Sequence, residues 1–287
     1  MEIKNEIISD YEEYCKNKLK NEFGSSYIEK DDSIYNYQRF KCRIIDVRPR
    51  LVIEPNNLIV PKKYKNAYEN IKNDILCGHP LKKYQSKRLK SLTFNDDMLS
   101  HWKIQHFHLG ETLESDGFIK RTGDLLFLYF TNNEAFIVGF FNHDSWCDLD
   151  IIETLHINWP ELLLKFKKKE DKSSLSPKKL TSEEHAILRK KRYSTYIIVN
   201  DGTEYLAPGL GVTGNGVSIE VNINSMQVIH MLNNDFQIIV DNIDQILASD
   251  PFSRTTSIVT IGMEMDEVNK RFIFKIKETG FLFSLSS

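Results

Sequence analysis

The apolar positions of this chain change period several times, and each change marks an element. From residue 1 to 23, Ile3, Ile7, Ile8, Tyr11, Tyr14, Cys15 and Leu19 recur at three- and four-residue spacing. That predicts one helix, stopped at Gly24. Over 35–60, Tyr35, Tyr37, Phe40, Cys42, Ile44 and Val47 lead into two short apolar runs punctuated by Pro49, Pro55 and Pro61, so short strands and turns are expected. A helical period returns over 62–92, with Tyr64, Tyr68, Ile71, Ile75 and Leu76 on one stripe and a break at Gly78, His79 and Pro80. Asp96 and Asp97 then head a short helix carrying Met98, Leu99 and Trp102.

The stretch 97–146 organises the rest. In a strand over 104–109, Ile104, His106 and His108 share one face, and Gln105, Phe107 and Leu109 the other. This predicts one core face and one working face. After a polar loop, residues 124–130 and 135–141 are apolar runs of strand length around an Asn-rich turn, which predicts a hairpin. Laid out as an antiparallel meander, the three strands bring His106, His108, Lys120, Arg121 and His143 to one edge.

Beyond it, residues 149–169 are amphipathic and helical, with Pro160 forcing a break near Asn158 and Trp159. That helix is expected on the core face. Residues 193–287 read as strands at 196–199, 217–223, 237–240, 257–261 and 271–277, with helices at 226–232 and 243–248. The expected fold class is α+β: a central antiparallel sheet with flanking helices, plus a second, smaller α+β module. The expected domains are a support region over 1–95, the sheet core over 96–168, a charged linker over 169–192 containing Ser173, Ser174, Ser176 and Pro177 and then a short charged helix over 182–191, and the second module over 193–287.

Composition adjusts this picture modestly. The 287 residues are 41% hydrophobic and 27% charged, ordinary for a globular protein. The net charge of −2 gives no global basic field, so nucleic-acid binding would need a local patch. The four cysteines (Cys15, Cys42, Cys77 and Cys147) form no Cys-x-x-Cys pair. The start is charged, without an apolar leader, and no run is long enough to span a membrane. A reducing, cytoplasmic setting is therefore expected.

Two histidines near neutrality beside fixed cations suit phosphodiester chemistry. One imidazole takes a proton from the nucleophile and another gives one to the leaving oxygen. Arg121 or Lys120 would stabilise charge on the phosphoryl oxygens. In RNA the 2′-hydroxyl is the built-in nucleophile, so this chemistry needs no metal and no cofactor. His106, His108, Arg121 and His143 are the candidate catalytic residues. Lys120, Trp146, Lys87 and Arg88 are candidate substrate-binding residues, the last two lying in a basic run that could follow an RNA backbone. The competing chemistry is a metal held by His106, His108, His143 and Asp144, although the rest of a cupin-type motif is wanting. The glycine run 209–216 matches a dinucleotide fingerprint by letter. That fingerprint needs a helix after it, and the alternation over 217–223 predicts a strand instead, so the glycines are expected to serve a tight turn.

The segments His106-Phe-His-Leu-Gly110, Arg121-Thr-Gly-Asp-Leu-Leu-Phe127 and Phe140-Phe-Asn-His-Asp-Ser-Trp146 loosely resemble the RelE/barnase-type (BECR-fold) metal-independent ribonucleases of bacterial toxin–antitoxin and antiphage systems. The resemblance covers about a fifth of the chain. It implies a sheet surface that cleaves RNA to a cyclic phosphate, and an inhibitory or regulatory protein partner. The chain is longer and less basic than those toxins. The alternative is a non-catalytic binding or regulatory protein with a structural histidine cluster.

Overall fold

The computed structural model describes residues 1–24, 32–169, 178–252 and 257–285. In chain order these form β1 (Glu2–Asn5), α1 (Ile7–Phe23), α2 (Ser33–Arg43), β2 (Leu51–Ile53), α3 (Lys65–Cys77), α4 (Asp97–Trp102), β3 (Ile104–His108), β4 (Asp124–Phe130) and β5 (Glu134–Asn142). There follow α5 (Asp150–Asn158), α6 (Ser182–Lys190), β6 (Ile197–Ile198), β7 (Glu204–Tyr205), α7 (Ile219–Asp241), α8 (Ile243–Ser249), β8 (Ile258–Asp266), β9 (Arg271–Ile276) and β10 (Phe281–Phe283). Short 3₁₀ turns lie at Lys62–Tyr64, Lys82–Tyr84, Lys87–Lys90 and Pro160–Phe166. The class is α+β. No described helix is long and apolar enough to cross a membrane. The serine- and proline-rich part of the expected linker, Ser173 to Pro177, lies outside the described residues.

Two compact units emerge: Cys42–Glu220, and Met1–Lys41 together with Val221–Ser287. The first holds a sheet of order β2-β5-β4-β3, in which β3, β4 and β5 form the antiparallel meander and β2 adds parallel to β5. Both faces are covered. On one, Ile104, Leu125, Phe127, Tyr129, Phe136 and Val138 pack with Met98, Trp102, Ile151, Ile152, Leu155 and Leu163. On the other, Phe107, Leu109, Leu126, Leu128 and Ile137 pack with Tyr68, Ile71, Ile75 and Tyr84. The expectation of one core face and one working face is therefore corrected. The α5 segment packs on the histidine-bearing face, not opposite it. All five residues of β3 are buried, as in a doubly covered strand.

A bulge in β5 sets the geometry of the site. Phe127 pairs with Gly139 and Leu128 with Ile137, leaving Val138 as an extra residue. One inserted residue reverses the side-chain alternation beyond it. Before the bulge, even-numbered Phe136 belongs to the first cluster. After it, odd-numbered Phe141 does, while Phe140 faces the second.

The other unit has a sheet of order β1-β8-β9-β10, with β1 parallel to β8. Its core joins Ile7, Tyr11 and Cys15 of α1 to Leu232 and Ile239 of α7 and to Val259, Ile261, Phe274 and Ile276 of the sheet.

Three local expectations are corrected. Residues 2–5, read as helix, are the strand β1. Residues 35–43, read as strand-like, are helical: Asp32 accepts the Tyr35 amide at 2.9 Å, and Ile34 and Tyr37 share one packed face. Residues 219–223 and 237–240 belong to α7. There Val221, Ser225, Leu232 and Ile239 are buried, a helical spacing that overrides the strand preference of the β-branched residues. The strand expected after the glycine run is corrected too: the helix α7 follows it. What occupies the glycines is close packing on α4. The Gly209 and Gly211 amides donate to the His101 and Ser100 carbonyls at 2.9 and 2.8 Å, Gly211 with φ of +81°. A Cβ at Gly209 would stand 2.4 Å from the Leu99 carbonyl oxygen.

Candidate functional site

At the end of the meander the apolar cover of the first face gives way to a cavity of about 410 Å³. It is lined by His106, His108, Arg121, His143 and Trp146, by Arg88, Phe94, Asp96 and Asp97, and by Cys147, Arg189 and Lys190. Each element contributes for a local reason. β3 supplies His106 and His108 on the face shared with Phe127 and Leu125, their cross-strand partners. The β5 bulge brings Phe141 to that face, where it stacks on Phe127 with centroids 4.8 Å apart, and His143 follows immediately. Trp146 sets its ring edge against His106 at 4.9 Å and stacks on Phe127 at 6.0 Å.

The three imidazoles differ in what their nitrogens can do. Thr122 separates two of them. Its backbone N–H donates to His108 Nδ1 at 3.3 Å, and its carbonyl accepts from His143 Nε2 at 3.3 Å. An amide can only donate and a carbonyl can only accept, so neutral His108 carries its proton on Nε2 and neutral His143 leaves Nδ1 bare. His108 Nε2 is buried without a partner. His143 Nδ1 and His106 Nε2 have no protein partner yet are not shut off from solvent. His106 Nδ1 is buried without a hydrogen-bond partner and faces Asp96 Oδ2 at 3.6 Å, within ion-pair distance but just beyond hydrogen-bond reach. Two ring nitrogens therefore address the cavity, from His106 and His143, and His108 supports them from behind.

Burial lowers the His106 pKa, opposed by Asp96 and reinforced by His143 and Arg121. Burial, with His106, Arg121 and His143, takes His108 down to about 4. The Cys147 thiol is pushed up by burial, so it is no ready thiolate nucleophile.

The cations of the cavity stand out by what they lack. Among the described residues, Arg88, Arg121, Arg189 and Lys190 have no carboxylate in ion-pair contact. Arg88 lies over the Phe94 ring at 5.4 Å. Arg189 lies over Trp102 at 4.6 Å and donates to the Trp146 carbonyl at 2.5 Å.

Of the eight residues singled out in the sequence, the structure brings six to the cavity: His106, His108, Arg121, His143, Trp146 and Arg88. Lys120 and Lys87 do not line it. Lys120 is exposed, its carbonyl pressed toward Gly110. Lys87 pairs with Glu114 and, at 2.9 Å, with Asp116, so its charge is spent locally. Asp96, Phe94, Arg189 and Lys190 were missed. Arg189 and Lys190 belong to α6, the short charged helix expected over 182–191, which begins at the Thr181–Glu184 capping box; it was read as a solvated part of the linker rather than as part of a site. Asp144 is not on the cavity, and among the described residues no group of three or more His, Cys, Asp or Glu is placed to hold a metal ion. His101, on α4, is buried, its pKa taken by burial to about 3.

Compared with protein families, with curated proteins and with solved structures, the chain matches none.

Proposed function

We propose that the cavity binds a phosphate ester and cleaves RNA without a metal, with His106 and His143 exchanging protons and Arg88, Arg121, Arg189 and Lys190 holding the phosphate. One observation carries this reading: four cations without carboxylate partners surround two histidines whose remaining ring nitrogens have no protein partner. Four cations against two carboxylates, Asp96 and Asp97, leave this concave site with an excess of positive charge, the complement of an anion. Arginine suits phosphoryl oxygens through its planar fork of donors. A volume of about 410 Å³ lies at the lower end of the range for small-ligand pockets. The setting proposed with it, a toxin–antitoxin or phage-defence system with an inhibitory partner, rests on the family resemblance alone.

The buried state of His106 and His108, at 6% and 1% exposure, favours a second reading. Histidines held neutral by burial make a poor reservoir of protons, and the same cavity would then bind a nucleotide without turning it over.

The deciding experiment is RNA cleavage by the purified protein in excess chelator, with His106→Ala and His143→Ala alongside. Cleavage by the wild type that is lost in folded variants supports the enzyme. Intact RNA, with and without added divalent metal, sinks it. Saturable nucleotide binding in that case leaves the second reading standing.

A further inference from the structure

The next step rests on the phosphodiester-cleavage reading. Of the three histidines on the cavity, His106 has a carboxylate at its back: Asp96 Oδ2 stands 3.6 Å from Nδ1. Asp96 is fixed in place. Its Oδ1 accepts the Leu99 amide at 3.1 Å and caps α4. The C-terminal end of α4 is in turn held by the Gly209 and Gly211 amides. On the far side of the ring, His106 Nε2 has no protein partner.

We propose that Asp96 is the positioning residue for His106. It keeps the ring proton on Nδ1, leaves the Nε2 lone pair for the substrate, and stabilises the imidazolium that forms when Nε2 takes a proton. A carboxylate behind an imidazole fixes its tautomer and orientation in this way. Such contacts are often long before substrate arrives.

The charged and titratable groups around His106 are Asp96 at the α4 cap, His108 on its own strand, Arg121 ahead of β4 and His143 after β5. Asp96 is the one anion among them, so it alone favours the protonated ring. His143 has only the Thr122 carbonyl behind it. This divides the labour. The RNA 2′-hydroxyl gives its proton to His106 Nε2, and its oxygen bonds to phosphorus. The P–O5′ bond breaks, and protonated His143 gives its Nδ1 proton to the departing oxygen. The products are a 2′,3′-cyclic phosphate and a 5′-hydroxyl, with no other reactant.

The test separates the carboxylate from the helix cap. Asp96→Ser keeps a side-chain oxygen that can cap α4 and removes the charge. Cleavage is expected to fall about 10²- to 10³-fold, and the acidic limb of the kcat/KM profile to move to lower pH, because the imidazolium loses its counter-charge. Imidazole ¹⁵N spectra are expected to show His106 protonated on Nδ1 in the wild type and that preference lost in the variant. Cleavage within threefold of wild type with an unmoved pH limb overturns the proposal. So does a wild-type His106 protonated on Nε2, a measurement that needs no variant to fold. If the wild type cleaves no RNA but the Nδ1 proton depends on Asp96, the pair stands and the ribonuclease reading falls.

Discussion

In the Met1–Lys41, Val221–Ser287 unit, apolar and polar positions alternate along the sheet and the named charges are compensated. Val259, Ile261 and Met263 enter the core. Glu264 pairs with Lys275 at 3.0 Å, and Lys277 with Glu6 and Asp10 at 2.5 and 2.7 Å. In the Cys42–Glu220 unit the sheet is apolar on both faces, and at its end four cations face a cavity without carboxylate partners. The contrast teaches where to look for chemistry. Paired surface ions contribute little and ask for no ligand, whereas cations outside carboxylate ion-pair contact, beside buried imidazoles in a cavity, mark a candidate site.

Substitutions in each unit test this contrast. The largest effect is expected at His143. In the His143→Ala protein, RNA cleavage should fall by about 10²- to 10⁴-fold, while Lys277→Met in the other unit leaves the rate within about twofold; equal losses in steady-state rates would erase the distinction. Next comes Arg121→Ala, which should weaken nucleotide monophosphate binding by roughly 10-fold or more, the worth of about 1.5–3 kcal/mol for a charged hydrogen bond. Lys87→Ala, already neutralised by Glu114 and Asp116, should stay within about twofold. Titration of Trp146 fluorescence would read both.

Gly209→Ala tests whether the glycine run serves packing. Its Cβ would meet the Leu99 and Ser100 carbonyl oxygens at 2.4 and 2.5 Å, so urea midpoints should report a loss of about 1–3 kcal/mol. No loss would return the glycines to a turn role alone. Acid stability tests the buried rings. His101 and His108 fold as neutral rings with pKa values lowered to about 3 and about 4. The unfolded chain takes up protons near the ordinary histidine pKa of about 6.5 while the fold does not. Stability is therefore full above that value and falls as the pH drops through 6.5 toward 4, by up to about 1.4 kcal/mol per pH unit for each ring. A flat stability curve between pH 7 and 5 would contradict their burial.

Much of this site was legible because its residues sit on strongly patterned elements. The strand carrying His106 and His108, the hairpin after it, the short helix behind Asp96 and Asp97 and the break before Pro160 all follow from local periodicity, and the meander that joins His108, Arg121 and His143 follows from short connections. The bulge was half legible, since a lone glycine inside a strand pattern is its usual sign, and Gly139 carries it. The charged helix over 182–191 was legible, but its place was not: its charges read as a solvated linker, although Arg189 lies against Trp102.

The sequence by itself determined the α+β class, the order of elements around the site and the residue types available there, because periods of 2 and 3.6 residues are set by local backbone geometry. Only the tertiary structure decided that both faces of the sheet are covered, that β1 pairs with β8 across more than 250 residues of chain, and which ring nitrogens remain without a protein partner. Those depend on which distant surfaces meet and on a single inserted residue, Val138, that reverses the parity of everything after it. Periodicity carries no record of either.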